Sequence, residues 1–233
     1  MKKFRQLLTK HGRDCLCNWA AEHGRLDVLQ WAREQGCLFL NEFTCAHAAK
    51  GGDLHILQWV RENGCPWGES TCSYAAWGGH LHILQWARAH GCPWDKWTCL
   101  FAAESGHLHI LQWAREHGCY WDIFTCAHAA RGGHLHILKW ARENGCPWDE
   151  FTCAYAAEKG HLNILQWAHE HGCPRFTCTK FVFENRRFTS ASKLLHRNIF
   201  KNQDEVKEWI KVVDEACNTL TYNDLSKLIK SFI

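Results

Sequence analysis

The chain has 233 residues, 46% of them apolar, and a formal charge of +3 at neutral pH, which is ample for one continuous packed core. No apolar run approaches the roughly 20 residues that span a bilayer, and the N-terminal M-K-K-F-R-Q-L-L-T-K-H-G has neither the long apolar stretch nor the small-residue cleavage site of a secretory signal. The reading is therefore a cytoplasmic, intracellular protein without membrane association.

Residues 1–14 come first as a half-repeat cap, because Phe4 to Gly12 matches only the second helix of the unit that follows, with Leu7 in place of its tryptophan. Six repeats then occupy 15–36, 42–64, 68–91, 95–118, 122–145 and 149–172. Trp31, Trp59, Trp86, Trp113, Trp140 and Trp167 mark one column, spaced by 28 residues once and by 27 four times. A fixed period of this size signals a solenoid of stacked units, each burying an apolar face against its neighbours.

Each repeat reads as two helices. Helix A runs through the T-C pair and the paired alanines, such as Ala75-Ala76, to a Gly-Gly or Ser-Gly turn. Either an Asp such as Asp95 or Asp149, or the Thr of the T-C pair, supplies its N-cap. Helix B follows, with Leu81, Ile83, Leu84, Trp86 and Ala87 on a broad apolar face and His82, Gln85 and Arg88 on the outer stripe. Gly91 and its equivalents stop it as left-handed C-caps, and the proline of the following C-P-W-D prevents continuation. After the sixth repeat, T-C-T-K-F-V (177–182) starts a degenerate seventh helix A, so the array spans 15–182. Residues 183–233 form two amphipathic helical segments, a C-terminal cap or tail.

The constant positions, namely the helix B tryptophan, G-C, T-C and A-A, are assigned to packing. Twelve of the fifteen cysteines fall in two repeat columns. Equivalent positions on stacked helices lie about 8–10 Å apart, too far for a disulfide along a column, so they read as structural thiols of a reduced compartment. Cys65 and Cys72 flank a loop, where the spacing allows them to converge. His80, His107, His134 and His161 stand where Asp53 stands in the second repeat and read as capping or turn residues, and the loop aromatics Phe39, Trp67, Trp94, Trp121 and Trp148 read as loop packing.

The run T-C-A-H-A-A-K-G-G-D-L-H-I-L-Q-W-V-R-E-N-G-C resembles the ankyrin repeat in its alanine pair, its A-A-x-x-G-H-L turn and its closing glycine, over residues 1 to about 182. The G-C-P-W-D-x-x-T-C wording is similar to the short divergent ankyrin arrays of giant DNA viruses of amoebae. About six residues of the family's period of about 33 are missing, where the β-hairpin fingers form, and the proline of T-P-L-H is replaced by cysteine. The expected fold is an all-α, ankyrin-like α-solenoid of stacked helix-turn-helix repeats with shortened or absent fingers.

No catalytic motif is present: neither G-x-x-x-x-G-K-[ST], nor G-x-S-x-G, nor H-E-x-x-H. No cofactor, metal or small-molecule substrate is expected. The expected function is a non-catalytic protein-protein interaction scaffold. Its binding positions are those that change from repeat to repeat on helix A, opposite the Cys and Ala. The first column is Trp19, His47, Tyr74, Phe101, His128 and Tyr155; the second is Glu22, Lys50, Trp77, Glu104, Arg131 and Glu158. Aromatics and arginine are enriched in binding hot spots, and the resemblance points to the same helix, which lines the concave groove of ankyrin proteins. It also implies the partner: a protein, either a host protein or a ubiquitin-ligase component, although no segment here clearly reads as an F-box.

Two other classes compete, a thiol-rich metal-binding protein and nucleic-acid binding through the basic C-terminal tail. The tail carries ten Lys/Arg and seven Asp/Glu beyond residue 175, which leaves the repeats formally neutral. The repeats therefore lack the basic stripe that a nucleic-acid groove needs.

Overall fold

The computed structural model describes residues 13–36 and 40–174, and among them all regular structure is helical. Residues 1–12 of the half-repeat cap, Phe39, the seventh helix and the C-terminal segments lie outside the described residues, while Arg13 and Asp14 belong to the first described helix. No helix among those described is long and apolar enough to cross a membrane.

The described residues divide into two compact units, meeting in sequence at Trp121 and Asp122. The first contains four helix pairs, A then B: α1 (Arg13–Glu22) with α2 (Leu26–Glu34), α3 (Glu42–Gly51) with α4 (Leu54–Glu62), α5 (Glu69–Gly78) with α6 (Leu81–Ala89), and α7 (Lys96–Glu104) with α8 (Leu108–Glu116). The second contains α9 (Ile123–Gly132) with α10 (Leu135–Glu143), and α11 (Glu150–Lys159) with α12 (Leu162–Glu170). Within each pair helix A packs on helix B, and within each unit every helix A packs on the helix A of the next repeat.

Small side chains explain why the A helices come so close. Cys45, Ala48 and Ala49 of α3 and Cys72, Ala75 and Ala76 of α5 are all fully buried. At the C-terminal ends the approach is backbone to backbone: a Cβ at Gly51 would lie 2.3 Å from the Glu22 carbonyl oxygen, and one at Gly78 would lie 2.4 Å from that of Lys50. Helix B supplies the larger apolar groups, Ile56, Leu57 and Val60 in α4 and Ile83, Leu84 and Ala87 in α6, each at most 1% exposed. The helix B tryptophans, assigned to packing, are only half-buried.

Capping settles the choice between Asp and Thr. The Asp95, Asp122 and Asp149 carboxylates accept from the backbone N–H of Trp97, Phe124 and Phe151 at 3.1, 3.0 and 3.0 Å, so Asp is the N-cap and Thr lies inside the first turn. In α3 both residues act together. The Asn41 side chain accepts from the Thr44 N–H and the Thr44 hydroxyl accepts from the Asn41 N–H, a reciprocal box.

The histidine column does something other than cap. Asp53 accepts from the Ile56 N–H at 3.1 Å, but His80, His107, His134 and His161, at the same position, make no side-chain cap bond. Instead His80 Nε2–H donates to the Lys50 carbonyl at 3.1 Å, and His161 Nε2–H to that of Arg131 at 3.1 Å. The His80 ring fills the space above Gly52, a C-cap at φ +82°, where any Cβ would strike it. His80 and His161 each tie their repeat to the one before it. Burial lowers the His80 pKa, only partly offset by the Lys50 carbonyl it bonds.

The loop tryptophans pack as expected. Arg61 lies over the Trp67 ring at 4.2 Å and donates to the Cys65 carbonyl, while the other side of Trp67 meets Trp86 of the next repeat at 5.7 Å. Arg88, Trp94 and Trp113 repeat the arrangement in the first unit, and Arg142, Trp148 and Trp167 repeat it in the second. Each of these three loops is thus held between its own arginine and the next tryptophan by cation–π and edge-to-face contacts.

Candidate functional site

The face of helix A turned away from the Cys and Ala core is built differently in the two units. In the first, the site starts at Glu22, at the end of α1. Its carboxylate takes the Lys50 ammonium at 2.7 Å and the His47 Nδ1 at 2.7 Å, both from α3. Burial pushes the Glu22 pKa up, but the bonds and charges of Lys50 and His47 outweigh it and hold the carboxyl below the usual carboxylate range.

From this ion group an aromatic strip continues across the next two A helices. His47 meets Tyr74 of α5 edge-on at 5.5 Å, and the Lys50 ammonium sits 4.3 Å from the Trp77 ring centre. Tyr74 is perpendicular to both Trp77 and Phe101, at 5.6 and 6.4 Å. Trp77 stacks on Phe101 of α7 at 5.3 Å and 17°, and Trp97 closes the strip at 5.8 Å from Phe101. Six of the residues picked from the sequence, Glu22, His47, Lys50, Tyr74, Trp77 and Phe101, thus form one connected surface.

The remaining candidate positions of the first unit lie on its first and last A helices. Trp19 stacks on His23 of its own turn at 4.8 Å, and Glu104 is half-buried at the end of α7. In the second unit His128 meets Tyr155 edge-on at 5.6 Å, and Arg131 lies 5.9 Å from the Tyr155 ring. Glu158 is exposed, beside Lys159 at 3.3 Å.

The rings touch across adjacent A helices, so part of each face is packing. The outer part remains open: Trp77 is 40% exposed and Trp97 46%. Exposed aromatic area held rigidly by its neighbours, beside a fixed ion group, can receive an apolar group and orient a polar one at the same time.

Three members were not among the sequence candidates. Trp97 precedes Phe101 by four residues, and Phe151 precedes Tyr155 by four, 6.2 Å between rings. That i, i+4 spacing on one helix face was available in the sequence. Phe124, which meets Phe151 at 6.2 Å, belongs to the same column.

Among the described residues no group of three or more His, Cys, Asp and Glu side chains converges as a metal site. The cysteines do converge in pairs, but Cys65 meets Cys45 and Cys72 meets Cys92, each within its own repeat, rather than Cys65 meeting Cys72 across the loop. No protein-family model matches the chain, and no curated protein does.

Proposed function

We propose that the chain is a non-catalytic, ankyrin-like scaffold that binds a partner protein on the helix A face of its repeats. The observation that carries this reading is the strip from Glu22 and Lys50 through Tyr74 and Trp77 to Phe101 and Trp97. It combines a rigid aromatic surface, two partly exposed indoles and an internally satisfied ion group. Hot spots of protein interfaces favour these residue types, clustered and already ordered before binding.

The contrast with the helix B side supports the same choice. There the Arg61–Trp67–Trp86 arrangement recurs from repeat to repeat, as a packing device does, whereas the first helix A column, Trp19, His47, Tyr74 and Phe101, holds a different residue in every repeat of the first unit. The short repeat also lacks the segment that forms hairpin fingers in ankyrin proteins, which leaves the helices to carry recognition.

A paired pull-down tests the reading. Trp77→Ala with Trp97→Ala on the helix A face is expected to abolish capture of the partner, with the helical circular dichroism unchanged. His82→Ala with Gln85→Ala on the exposed stripe of α6 is expected to leave capture intact. Retained capture in the first variant, or loss in the second, contradicts the assignment.

A further inference from the structure

The proposed binding face makes no use of the cysteines, yet their placement is as regular as that of any other group. In the second to sixth repeats the helix A cysteine contacts the cysteine that follows helix B in the same repeat, twenty positions later. The pairs are Cys45–Cys65, Cys72–Cys92 and Cys99–Cys119 in the first unit, and Cys126–Cys146 and Cys153–Cys173 in the second. All ten are buried thiols, none of them in a disulfide.

Both members are held from the backbone. The loop thiol reaches back to the N-cap carbonyl of its own repeat: Cys65 to Asn41 at 3.1 Å, Cys119 to Asp95 at 3.3 Å and Cys173 to Asp149 at 3.3 Å. The helix A thiol points at the partner's main chain, with Cys45 Sγ 3.9 Å from the Cys65 carbonyl and Cys126 Sγ 4.0 Å from that of Cys146. Neighbours along a column lie on successive repeats, where the ordinary helix spacing of about 8–10 Å is beyond disulfide reach. Members of a pair, by contrast, are within side-chain hydrogen-bonding reach of each other.

We propose that these pairs are latent disulfides, closed by exchange with a small-molecule disulfide, each clipping helix A to the end of helix B within one repeat. The thiolate of one cysteine attacks the reagent, forming a mixed disulfide and releasing one small thiolate. The partner thiolate attacks the protein sulfur of that mixed disulfide, forming the Cys–Cys bond and releasing the second. Two electrons pass from the pair to the reagent, and the two protons the pair gives up end on the released thiols. In the second repeat the Cys45 contact lowers the Cys65 pKa against the effect of burial, with Arg61 adding to it.

Access orders the ladder. Cys153 and Cys173 are each 5% exposed, whereas both members of the other four pairs are fully buried. Pairs at zero exposure react only through local opening, so the sixth repeat closes first.

The test uses the full reduced chain in native buffer with oxidised glutathione. Samples are quenched in acid, alkylated in denaturant, digested without reduction and mapped by mass spectrometry. The expected links join cysteines twenty apart, Cys153–Cys173 earliest, with two titratable thiols lost per link and a higher melting temperature. In Cys173→Ser the first link disappears while the other four pairs still close. Links along a column such as Cys45–Cys72, glutathione adducts that never resolve, or ten unchanged thiols after the same chain in urea has fully oxidised would each overturn the proposal.

Discussion

Gly78→Ala sets two effects of opposite sign against each other at one position. Gly78 is the last residue of α5 and has no left-handed backbone to lose. Helix propensity alone favours alanine there by about 1 kcal/mol. The added Cβ, however, would stand 2.4 Å from the Lys50 carbonyl oxygen and 2.7 Å from the His80 ring. Comfortable non-bonded contact needs roughly 3.5 Å, and the nearest atom is backbone, so α3 and α5 must separate by about 1 Å. Overpacking of this kind costs about 1–3 kcal/mol and weakens the His80 bond to Lys50 as well. The net expectation is a loss of about 1–2 kcal/mol, or about 2–8 °C in melting temperature for a chain of this size. Differential scanning calorimetry of the reduced protein measures it. A melting temperature at or above that of the parent would show that the A helices are not held at backbone contact, and the account of their packing would fail.

The buried threonines divide sharply. Thr44→Val is expected to cost about 1–2 kcal/mol, because its hydroxyl bonds Asn18 at 2.8 Å and completes the Asn41 box. Thr98→Val is expected to be neutral or stabilising by up to about 1 kcal/mol, since its hydroxyl is buried without a hydrogen-bond partner; urea denaturation of both variants compares them. The His80 interaction makes stability depend on pH. Its folded-state pKa lies below the ordinary 6.5, so its contribution is complete above pH 6.5 and is lost as pH falls through the folded value. The difference in stability between the parent and His80→Gln, followed from pH 7.5 to 5, should therefore shrink toward acid, and a difference that grows would reverse the sign of the argument.

The repeat, the two helices of each unit and the glycine stops were legible because each rests on local stereochemistry: a 3.6-residue apolar period, an αL position, a proline that cannot continue a helix. The absence of strands among the described residues followed from the shortened link between helices. Other features depend on where the chain returns to itself. Asp95 and Thr98 both suit a cap, and only the entry angle of α7 makes Asp95 the one that accepts from the Trp97 amide. His80 sits at an N-cap position, but its ring is long enough to reach the previous repeat, which no window on its own helix reveals. The helix B tryptophans are constant where their partner, the tryptophan of the preceding loop, recurs; that constancy marked packing without marking depth. The thiol pairs bridge both helices of a repeat, so sequence proximity suggested the wrong partners. On the candidate face, internal variation singled out Tyr74, Trp77 and Phe101, but it passed over Trp97, whose signal was the spacing to Phe101 rather than its column.

The most direct test of the central claim is site-specific photocrosslinking with the captured partner, placing p-benzoylphenylalanine at Trp77 in the helix A strip or at Gln85 on the exposed stripe of α6. Covalent transfer to the partner from position 77 and none from position 85 is the predicted result. Crosslinking from position 85 alone would move the binding surface to helix B and contradict the account.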